Sequence, residues 1–551
     1  MDPAELKEAV STVLRVLVRG LEKSEKDFEA LSTGDAVQNG CFPNGGEQLL
    51  AYLNDPQHLK HLLGLSLPQS GKGPGAIEAC SEEILKYSVN TASPTFLDKL
   101  WSTPSVPGIA GDLLMSVINS NVHVFRTSPA LSMIEKHVAQ ELAQTFGLRG
   151  PYSGGINVPG GAAANQTALL VARNTRFPSS KTAGLHNMQR RVVIFASEAA
   201  HFSIRTAVQT LGLGTTSLRE IATCPNGSME VSALRAALHE AASAGEIPLA
   251  VCATAGTTVR GAYDPLQSIS QLCKEYNAWL HVDACWGGAA IFSPRFRDKL
   301  AGIDQADSIA YNPHKLLGIP QICSFVLGRD MRTFWYSNKV DAGYLFHQDT
   351  TSTSSKACQS DGCRATANVT PVDEHFDLQY KWRDANHIIA APDPNKVYDL
   401  ASFTPQCGRR SDAVKLYFHW QYYGRDGIAK QIDIAFDTAS YLAQQIASHS
   451  CFRLLGDVQV PGPQVCFYYA GRMYKRMASH DDEKHQNSYF THLLSSGLLK
   501  RGWMIDYAPG SDKEGEVGDF LRVVCNRNTS LLVADGLLRA LLCTVTEDLH
   551  L

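Results

Sequence analysis

The 551-residue sequence contains no apolar run that approaches the ~18 residues needed for a membrane-spanning helix. The nearest segment, Leu531–Val545, is interrupted by Asp535 and Arg539. The first residues, Met1–Glu5, are acidic where a secretory signal is basic, and no apolar core follows them. The formal net charge is -4 and no large basic block is present, so nothing indicates a nucleic-acid partner. We therefore expect a soluble, cytoplasmic protein with no membrane or nucleic-acid partner.

Motifs for metal binding and for a serine nucleophile are also lacking. There is no His-Glu-x-x-His sequence and no Gly-x-Ser-x-Gly turn, and Cys358 and Cys363 have no second cysteine pair. The sequence therefore predicts no metal site. The 14 cysteines are scattered, and several lie in apolar, strand-like runs, namely Cys252, Cys323, Cys466 and Cys525. This pattern favours buried free thiols in a reducing compartment over a disulfide framework.

What the chain does contain is a regular alternation of short apolar runs with helical patterns. Its length exceeds the ~250–300 residues that one core can serve, so we expect two or more domains. Helical spacing occurs at 231–242 and 265–276, between runs that are typical of buried strands. These runs are Val192–Phe195, Leu249–Ala253, Trp279–Val282, Ser308–Tyr311 and Ser324–Leu327. The alternation predicts an α/β protein with a mostly parallel sheet covered by helices, whose ligands lie beyond the carboxyl ends of the strands.

The two ends of the chain and one internal segment have different patterns. Asp2 and Pro3 predict the start of an N-terminal helix. Residues 347–395 break the alternation with a polar piece of low complexity, which predicts an insertion or mobile loop. Beyond it a second, smaller α/β region is predicted. Its elements are a helical pair at Ser411–Tyr423 and Asp426–His449, strands at Val465–Tyr469 and Leu521–Cys525, and a last helix from about Ser530.

Two charged residues follow predicted strands and are candidates for catalysis. Lys315 ends the sequence Asn312-Pro-His-Lys315, directly after a buried run, where an unpaired ammonium is costly. An amine in such a place forms imines readily, although a lysine at a strand end can equally extend its side chain to solvent. Asp283 ends the run before it. It could cap the next turn, or it could pair with a protonated heterocyclic nitrogen and keep that ring able to accept electrons.

A glycine-bearing turn and a histidine could complete such a site. The turn Val158–Asn165 contains two adjacent glycines and opens a helix, so its backbone N–H groups could bind a phosphate; Gly-Gly before a helix is also a common simple turn. The turn is not a Walker motif, because the Gly-Lys-Ser/Thr ending is absent. His201 follows the strand Val192–Phe195. It could stack on a flat ring or be a hydrogen-bonded loop residue.

Taken together, these segments resemble the group II pyridoxal-phosphate decarboxylases, which include the glutamate, cysteine-sulfinate and aspartate decarboxylases. The resemblance runs from about Ser93 to the C-terminus. Several long motifs occur in the family's order, which makes chance a poor explanation. The motifs are Ala253–Pro265, His281–Gly288, Asn312–Lys315, Ala342–Phe346 and Gln406–Arg409.

The resemblance implies an aspartate-aminotransferase-like (type I) pyridoxal-phosphate fold. In it, a large domain with a mostly parallel seven-stranded sheet is followed by a smaller C-terminal α/β domain. Expected boundaries are 1–92 for a dimer-forming N-terminal helical segment, 93–400 for the cofactor-binding domain and 401–551 for the small domain. It further implies a homodimer with active sites at the subunit interface. The implied reaction is decarboxylation of an L-amino acid to an amine and carbon dioxide, with pyridoxal 5′-phosphate as cofactor.

The resemblance also assigns roles to individual residues. Lys315 matches the lysine that holds the cofactor as a Schiff base, Asp283 the partner of the pyridine nitrogen, and His201 the stacked ring. Tyr398, in Tyr398-Asp399, resembles a tyrosine that protonates the α-carbon from the neighbouring subunit. Arg522 matches an arginine that binds the substrate carboxylate. The remaining expected cofactor contacts are Gly161, Ala162, Thr258, Cys285, Asn312 and His314.

Departures from the family pattern leave the substrate open. Cys285 replaces a usual alanine beneath the ring, and Ala164 replaces a serine of the phosphate turn. Lys99 replaces a glutamine, and Phe125-Arg126 replaces a Tyr-Glu pair on the substrate side. Lys99 or Arg126 could pair with an acidic substrate side chain or form an exposed salt bridge. Aspartate, glutamate and cysteine sulfinate are therefore candidate substrates, and decarboxylation-coupled oxidation and a non-catalytic cofactor-binding homologue are the alternative functions.

Overall fold

The computed structural model describes residues 1–32, 55–101, 103–185, 188–339, 386–471, 480–511 and 517–548. Most of the predicted insertion, at 347–385, and the motif Ala342–Phe346 lie outside the described residues. Within the described residues the chain forms two compact units. One comprises Met1–Thr103 and Asp433–Leu551, and the other comprises Pro104–Ile432.

The elements of both units are as follows. The helices are α1 (Pro3–Ser32), α2 (Pro56–Leu62), α3 (Gly75–Tyr87), α4 (Val106–Ile118), α5 (Pro129–Thr145), α6 (Gly161–Arg176), α7 (Ser180–Ala183), α8 (Ser203–Thr210), α9 (Val231–Ser243), α10 (Leu266–Glu275), α11 (Met331–Asn338), α12 (Asn386–Ile389), α13 (Ala413–Ser448), α14 (His480–Lys500) and α15 (Leu531–Cys543). The strands are β1 (Phe96–Leu97), β2 (Gly154–Val158), β3 (Val192–Ser197), β4 (Leu218–Ile221), β5 (Ile247–Thr254), β6 (Trp279–Asp283), β7 (Ser308–Tyr311), β8 (Ser324–Gly328), β9 (Phe452–Leu454), β10 (Gln464–Tyr469), β11 (Met504–Pro509) and β12 (Asp519–Val524).

The unit of residues 104–432 is built on a seven-stranded sheet with the order β2-β8-β7-β6-β5-β3-β4. Strands β4, β3, β5, β6 and β7 are parallel to one another, whereas β8 is antiparallel to both β7 and β2. The central strands β3, β5, β6 and β7 are buried along their whole length, as expected for a sheet covered on both faces. The predicted mostly parallel seven-stranded sheet is thus confirmed, and so are the five predicted strands.

The other unit contains a five-stranded sheet with the order β1-β11-β12-β10-β9. Its strands pair antiparallel except for the short β1, which runs parallel to β11. Helices α13, α14 and α15 contribute leucine, alanine and aromatic side chains to a core that this sheet shares. The smaller α/β region predicted from the sequence is therefore present, with β1 from residues 96–97 added at its edge.

Helix α13 combines the two helices that the sequence predicts around residue 424. Gly424 has a φ of 61°, a left-handed conformation that interrupts the helical geometry and is accessible to glycine at little cost. At the N-terminus, α1 begins at Pro3, where proline suits the first helical turn. Among the described residues, no helix combines the length and the apolar character required to cross a membrane.

Candidate active site

Asp283 and Lys315 follow neighbouring strands at the carboxyl edge of the seven-stranded sheet. Asp283 is the last residue of β6 and lies opposite Ala310 of β7 in the strand register. Strand β7 ends at Tyr311, and a tight turn follows in which the Lys315 N–H donates to the Asn312 carbonyl at 3.0 Å. Because the two strands are parallel and adjacent, the turn brings Lys315 to the edge at which Asp283 ends. The structure therefore brings together the two residues that carried the sequence hypothesis.

The Asp283 carboxylate is buried and held in its charged form. Asn165 Nδ2 donates to Asp283 Oδ2 at 2.9 Å, and the Cys285 backbone N–H donates to Oδ1 at 3.1 Å. Burial alone would raise the pKa of Asp283, but the positive charge of Lys315 and the hydrogen bonds from Cys285 and Asn165 outweigh it, so the pKa lies below its ordinary value. A buried, ionised carboxylate in this position suits a cationic ring nitrogen as partner.

The start of α6 forms a cradle beside this pair. A Cβ on Gly161 would lie 2.7 Å from Cys285 Sγ and 2.8 Å from Asn312 Nδ2, so the backbone approaches both side chains as only glycine allows. The Oδ1 of Asn312 is buried and has no hydrogen-bond partner among the described residues. The first N–H groups of this 16-residue helix offer donors to an anion, whereas the Asn312 oxygen can only accept and would be satisfied by a donor and not by a phosphate oxygen. The N–H groups at Gly161 and Ala162, with the Asn312 Nδ2 beside Gly161, therefore fit a phosphorylated ligand.

Four further predicted cofactor contacts lie in the same unit. His201 is partly buried after β3, and its Nδ1 lies 2.8 Å from Ser203 Oγ. His314 directs Nδ1 to the backbone of Cys323, with 2.7 Å to the carbonyl oxygen, and burial lowers the pKa of His314 to about 4. Thr258 lies, partly buried, in the loop that follows β5. Cys285 is buried, and this burial and the charge of Asp283 raise the pKa of its thiol.

Tyr398 and Phe125, predicted from the catalytic loop and the substrate side, lie against each other. Their ring centroids are 5.4 Å apart, and Asp399 accepts a hydrogen bond from the Phe125 backbone N–H at 2.9 Å. Tyr398 remains 42% exposed. Lys136 anchors the preceding residues, because its Nζ donates to the carbonyls of Pro394, Asn395 and Val397 at 2.7–2.9 Å.

Arg522 and Lys99 lie in the other compact unit and share one carboxylate. Asp506 of β11 stands directly opposite Arg522 of β12 and forms an ion pair with its guanidinium. Lys99 Nζ lies 3.1 Å from the same carboxylate and 3.0 Å from Asp98. Partial burial would lower the pKa of Lys99, but the two carboxylates outweigh it and raise the pKa. Lys99 is thus already paired, and a substrate carboxylate would have to compete with Asp98 and Asp506.

Sequence reasoning missed the residues that support Asp283 from behind. Asn165 lies one turn after Gly161 on α6, and His281 lies two residues before Asp283, on the same face of β6. His281 Nε2 lies 2.9 Å from Asn165 Oδ1. The alternation of side chains along a strand places His281 on the same face as Asp283, so the position of His281 could have been predicted. The sequence did not show that Asn165 of α6 would contact both residues.

Metal ligands and disulfides play no part in what the described residues form. Within those residues no group of three or more His, Cys, Asp or Glu side chains could hold a metal ion. Cys252, Cys323, Cys466 and Cys525 are buried free thiols. Burial raises the pKa of Cys525 to about 12, so this thiol stays protonated.

Comparison with protein families identifies the chain's relatives. The model of the pyridoxal-dependent decarboxylase conserved domain matches residues 56–361 and 384–470. A glutamate decarboxylase-like protein, FG08083, from Gibberella zeae is 41% identical over 519 residues, which cover 93% of this chain and 96% of the relative. The L-aspartate decarboxylase dtxS4 of Metarhizium robertsii is 38% identical over 489 residues, which cover 88% of this chain and 86% of the relative.

The fold agrees with a solved structure over nearly the whole chain. The crystal structure of mouse CSAD is 27% identical in sequence and superposes with a TM-score of 0.79, covering 98% of each chain. The predicted type I fold is therefore confirmed, and with it the relationship that the motifs indicated.

Proposed function

The chain belongs to the pyridoxal-dependent decarboxylase family, and we propose that its amino-acid decarboxylase activity is carried by Lys315 and Asp283. The observation that carries this assignment is their placement after adjacent parallel strands, with the charge of Lys315 helping to keep the buried Asp283 ionised. Members of this family use pyridoxal phosphate, and the cradle at Gly161, where the helix N–H groups and the Asn312 Nδ2 lie close together, fits that group.

In the proposed binding mode, each group of residues in the site contacts one part of the cofactor. Lys315 would hold the cofactor through its amine, and Asp283 would hold a proton on the ring nitrogen. Gly161, Ala162, Asn312 and His314 would surround the phosphate. His201, Cys285 and Thr258 would contact the ring. When bound, pyridoxal phosphate draws electrons from the substrate's α-carbon, which weakens the bond to the α-carboxylate.

The chain's own groups would then control where charge and protons go. Asp283, as a buried anion, favours the state in which the ring nitrogen is positive and can accept electrons. Tyr398 would supply the proton at the α-carbon, because the residue is partly exposed and its ring lies against Phe125. A proton delivered to that carbon gives an amine. Without that proton, and with dioxygen as the oxidant, the same carbon would be open to the alternative oxidative function.

For the substrate, we propose an acidic L-amino acid, with aspartate the first to test. Arg522 would bind the α-carboxylate through its guanidinium, although Asp506 already occupies part of it. Lys99 is the second cation of that cluster, and it would meet a side-chain carboxylate in exchange for one of its present partners. The 38% identical relative named L-aspartate decarboxylase supports this choice. Phe125 borders Tyr398, and Arg126 is exposed beside it.

We further propose a cytoplasmic homodimer in which α4 contributes to the interface. Its inner face is closely packed: a Cβ on Gly108 would lie 2.5 Å from Pro320, and one on Gly111 would lie 3.2 Å from the Lys415 backbone. Its outer face exposes six aliphatic side chains, Val106, Ile109, Leu113, Leu114, Val117 and Ile118, each more than 40% exposed. An apolar face of this kind is typical of a buried contact with a second copy.

The test is carbon dioxide release by the purified chain with added pyridoxal phosphate. Aspartate, glutamate, cysteine sulfinate and aromatic amino acids are supplied in turn, and the amine is quantified alongside the gas. Lys315→Ala should lose both the visible absorption band of the bound cofactor and all carbon dioxide release. Lys274→Ala, an exposed lysine that bonds to Gln305, should retain both. An unchanged spectrum in the Lys315→Ala variant would refute the assignment.

A further inference from the structure

Asn165 is a buried junction between the two side chains that would hold the cofactor ring. It is 1% exposed and lies one turn into α6. Its Nδ2 lies 2.9 Å from Asp283 Oδ2 and 2.9 Å from Ser203 Oγ, and its Oδ1 lies 2.9 Å from His281 Nε2. Both N–H donors of this amide and its oxygen are therefore engaged.

The ionised Asp283 fixes the direction of every bond on one side of this junction. A carboxylate only accepts, so Asn165 must present its NH₂ group to Asp283 and its oxygen to His281. His281 Nε2 therefore carries a proton. Burial lowers the pKa of His281 to about 4, so the ring is neutral and its Nδ1 accepts from Ser308 at 2.9 Å. Ser308 can donate there because it accepts from the Trp279 indole N–H at 2.8 Å.

The same logic determines the protonation of His201 on the other side. The second N–H of Asn165 occupies Ser203 Oγ, so the Ser203 hydroxyl proton is free to point to His201 Nδ1 at 2.8 Å. The Ser203 backbone N–H also approaches Nδ1, at 3.3 Å. A nitrogen that receives two donors cannot carry a proton itself. Nδ1 is thus unprotonated, and the ring proton of His201 is on Nε2.

We propose that Asn165 and Ser203 are positioning residues. Together they orient Asp283 and His201, the two side chains that would contact the cofactor ring. Asn165 holds the Asp283 carboxylate at the ring nitrogen, and through Ser203 it holds His201 as the neutral tautomer with its proton on Nε2. His201 then acts as an uncharged stacked group with one donor to offer, and not as a base. The inference rests on the proposed roles of Asp283 and His201.

Cofactor affinity tests the Asn165 part of the inference. Asn165→Asp keeps the size of the side chain but cannot donate, and it sets a second carboxylate against Asp283. We expect the dissociation constant of pyridoxal phosphate, titrated by absorbance, to rise at least tenfold. Asn174→Asp is the matched control, since Asn174 lies on the same helix, is also buried, and bonds to Ser337 away from the site. Its dissociation constant should stay within about twofold of the parent's.

Ser203→Ala gives a milder second variant, which decides the matter if Asn165→Asp does not fold. Loss of one hydrogen bond on each neighbour should weaken cofactor binding about two- to tenfold. Folding of each variant is checked by circular dichroism and gel filtration. If the folded variants bind pyridoxal phosphate as tightly as the parent and Asn174→Asp, the positioning role is refuted.

The tautomer of His201 can be read without any cofactor. In the ¹⁵N-histidine-labelled, cofactor-free chain, the His201 signals are those that disappear in His201→Gln. The parent should show an unprotonated Nδ1 and a protonated Nε2, and Ser203→Ala should move the signals toward a mixture of tautomers. A proton on Nδ1 in the parent would overturn the inference. Because no cofactor is present, this result is independent of the visible band and the carbon dioxide release that test the proposed function.

Discussion

Arg409 offers the sharpest test of how the cofactor-binding unit is held together. It is the last residue of the motif Gln406–Arg409, to which the family resemblance assigned no role. Its side chain is 3% exposed and pairs with Glu135, which is 1% exposed. Its guanidinium also donates to the carbonyls of Val122 and Asn157, at 2.8 and 2.9 Å. One buried cation thus joins the end of this motif to α5 and β2.

Replacing Arg409 by methionine removes the cation and leaves the Glu135 carboxylate buried. Breaking a buried ion pair from one side costs about 3–5 kcal/mol, because the remaining charge has lost its partner. Among the described residues, the hydrogen bond that Glu135 keeps is the one from the Asn157 backbone N–H, at 3.0 Å, which offsets little of that cost. We therefore expect Arg409→Met to lower the free energy of unfolding by about 3–5 kcal/mol.

The assay is urea denaturation of the cofactor-free chain at one fixed protein concentration, followed by circular dichroism. Arg410→Met is the matched control. That neighbouring arginine is 43% exposed and pairs with Asp112 at the surface, so its loss should cost less than about 1 kcal/mol. The double variant Glu135→Gln/Arg409→Met should lose less than the sum of the single variants by about 1–3 kcal/mol. Equal stability of Arg409→Met and Arg410→Met would refute the reasoning.

Three further outcomes are expected. Tyr398→Phe should divert product from amine toward carbonyl compound, as measured by product analysis. The control Tyr422→Phe, which changes an exposed tyrosine, should not. If Tyr398→Phe forms amine alone at the parent rate, Tyr398 is not the proton donor. Gly161→Ala should weaken pyridoxal phosphate binding at least tenfold, because its Cβ would lie 2.7 Å from Cys285 Sγ. The control Gly20→Ala places a Cβ with no atom within 4 Å, so its titration should be unchanged. Burial lowers the pKa of Lys136 to about 8 from 10.5, so between these values the unfolded chain holds a proton that the folded chain has lost. The unfolding free energy of the parent relative to Lys136→Met should then rise with pH across that window, and a constant difference in urea denaturation would contradict it.

Much of the sheet could be predicted because its central strands are apolar on both faces. Runs such as Val192–Phe195 and Ser308–Tyr311 are typical of such strands, and the structure has strands there. Strand β2 was missed, since it opens with Gly154 and Gly155, which have little strand preference. Strand β1 has only two residues and pairs with a strand some 400 residues away along the chain, which no local pattern reveals.

The candidate site was predictable where motif residues follow strands and unpredictable where partners meet across the fold. Asp283 and Lys315 lie at strand ends that the sequence marks clearly. Asp506 is different: it faces Arg522 only because of the register between β11 and β12, and register is set by tertiary packing. Ser203 likewise acquires its role from Asn165, 38 residues earlier. Such pairs form only through contacts in the folded chain, so the spacing of residues in the sequence does not predict them.

The shared carboxylate of Asp506 has a consequence for how this scaffold can diverge. Asp506 forms ion pairs with both Arg522 and Lys99, so a single substitution of Asp506 would alter the electrostatics at both cations. The residues proposed to grip the cofactor belong to the other compact unit and would keep their present neighbours. On the proposed roles of Arg522 and Lys99, a change at Asp506 would therefore alter substrate preference and leave the groups proposed to hold the cofactor unchanged.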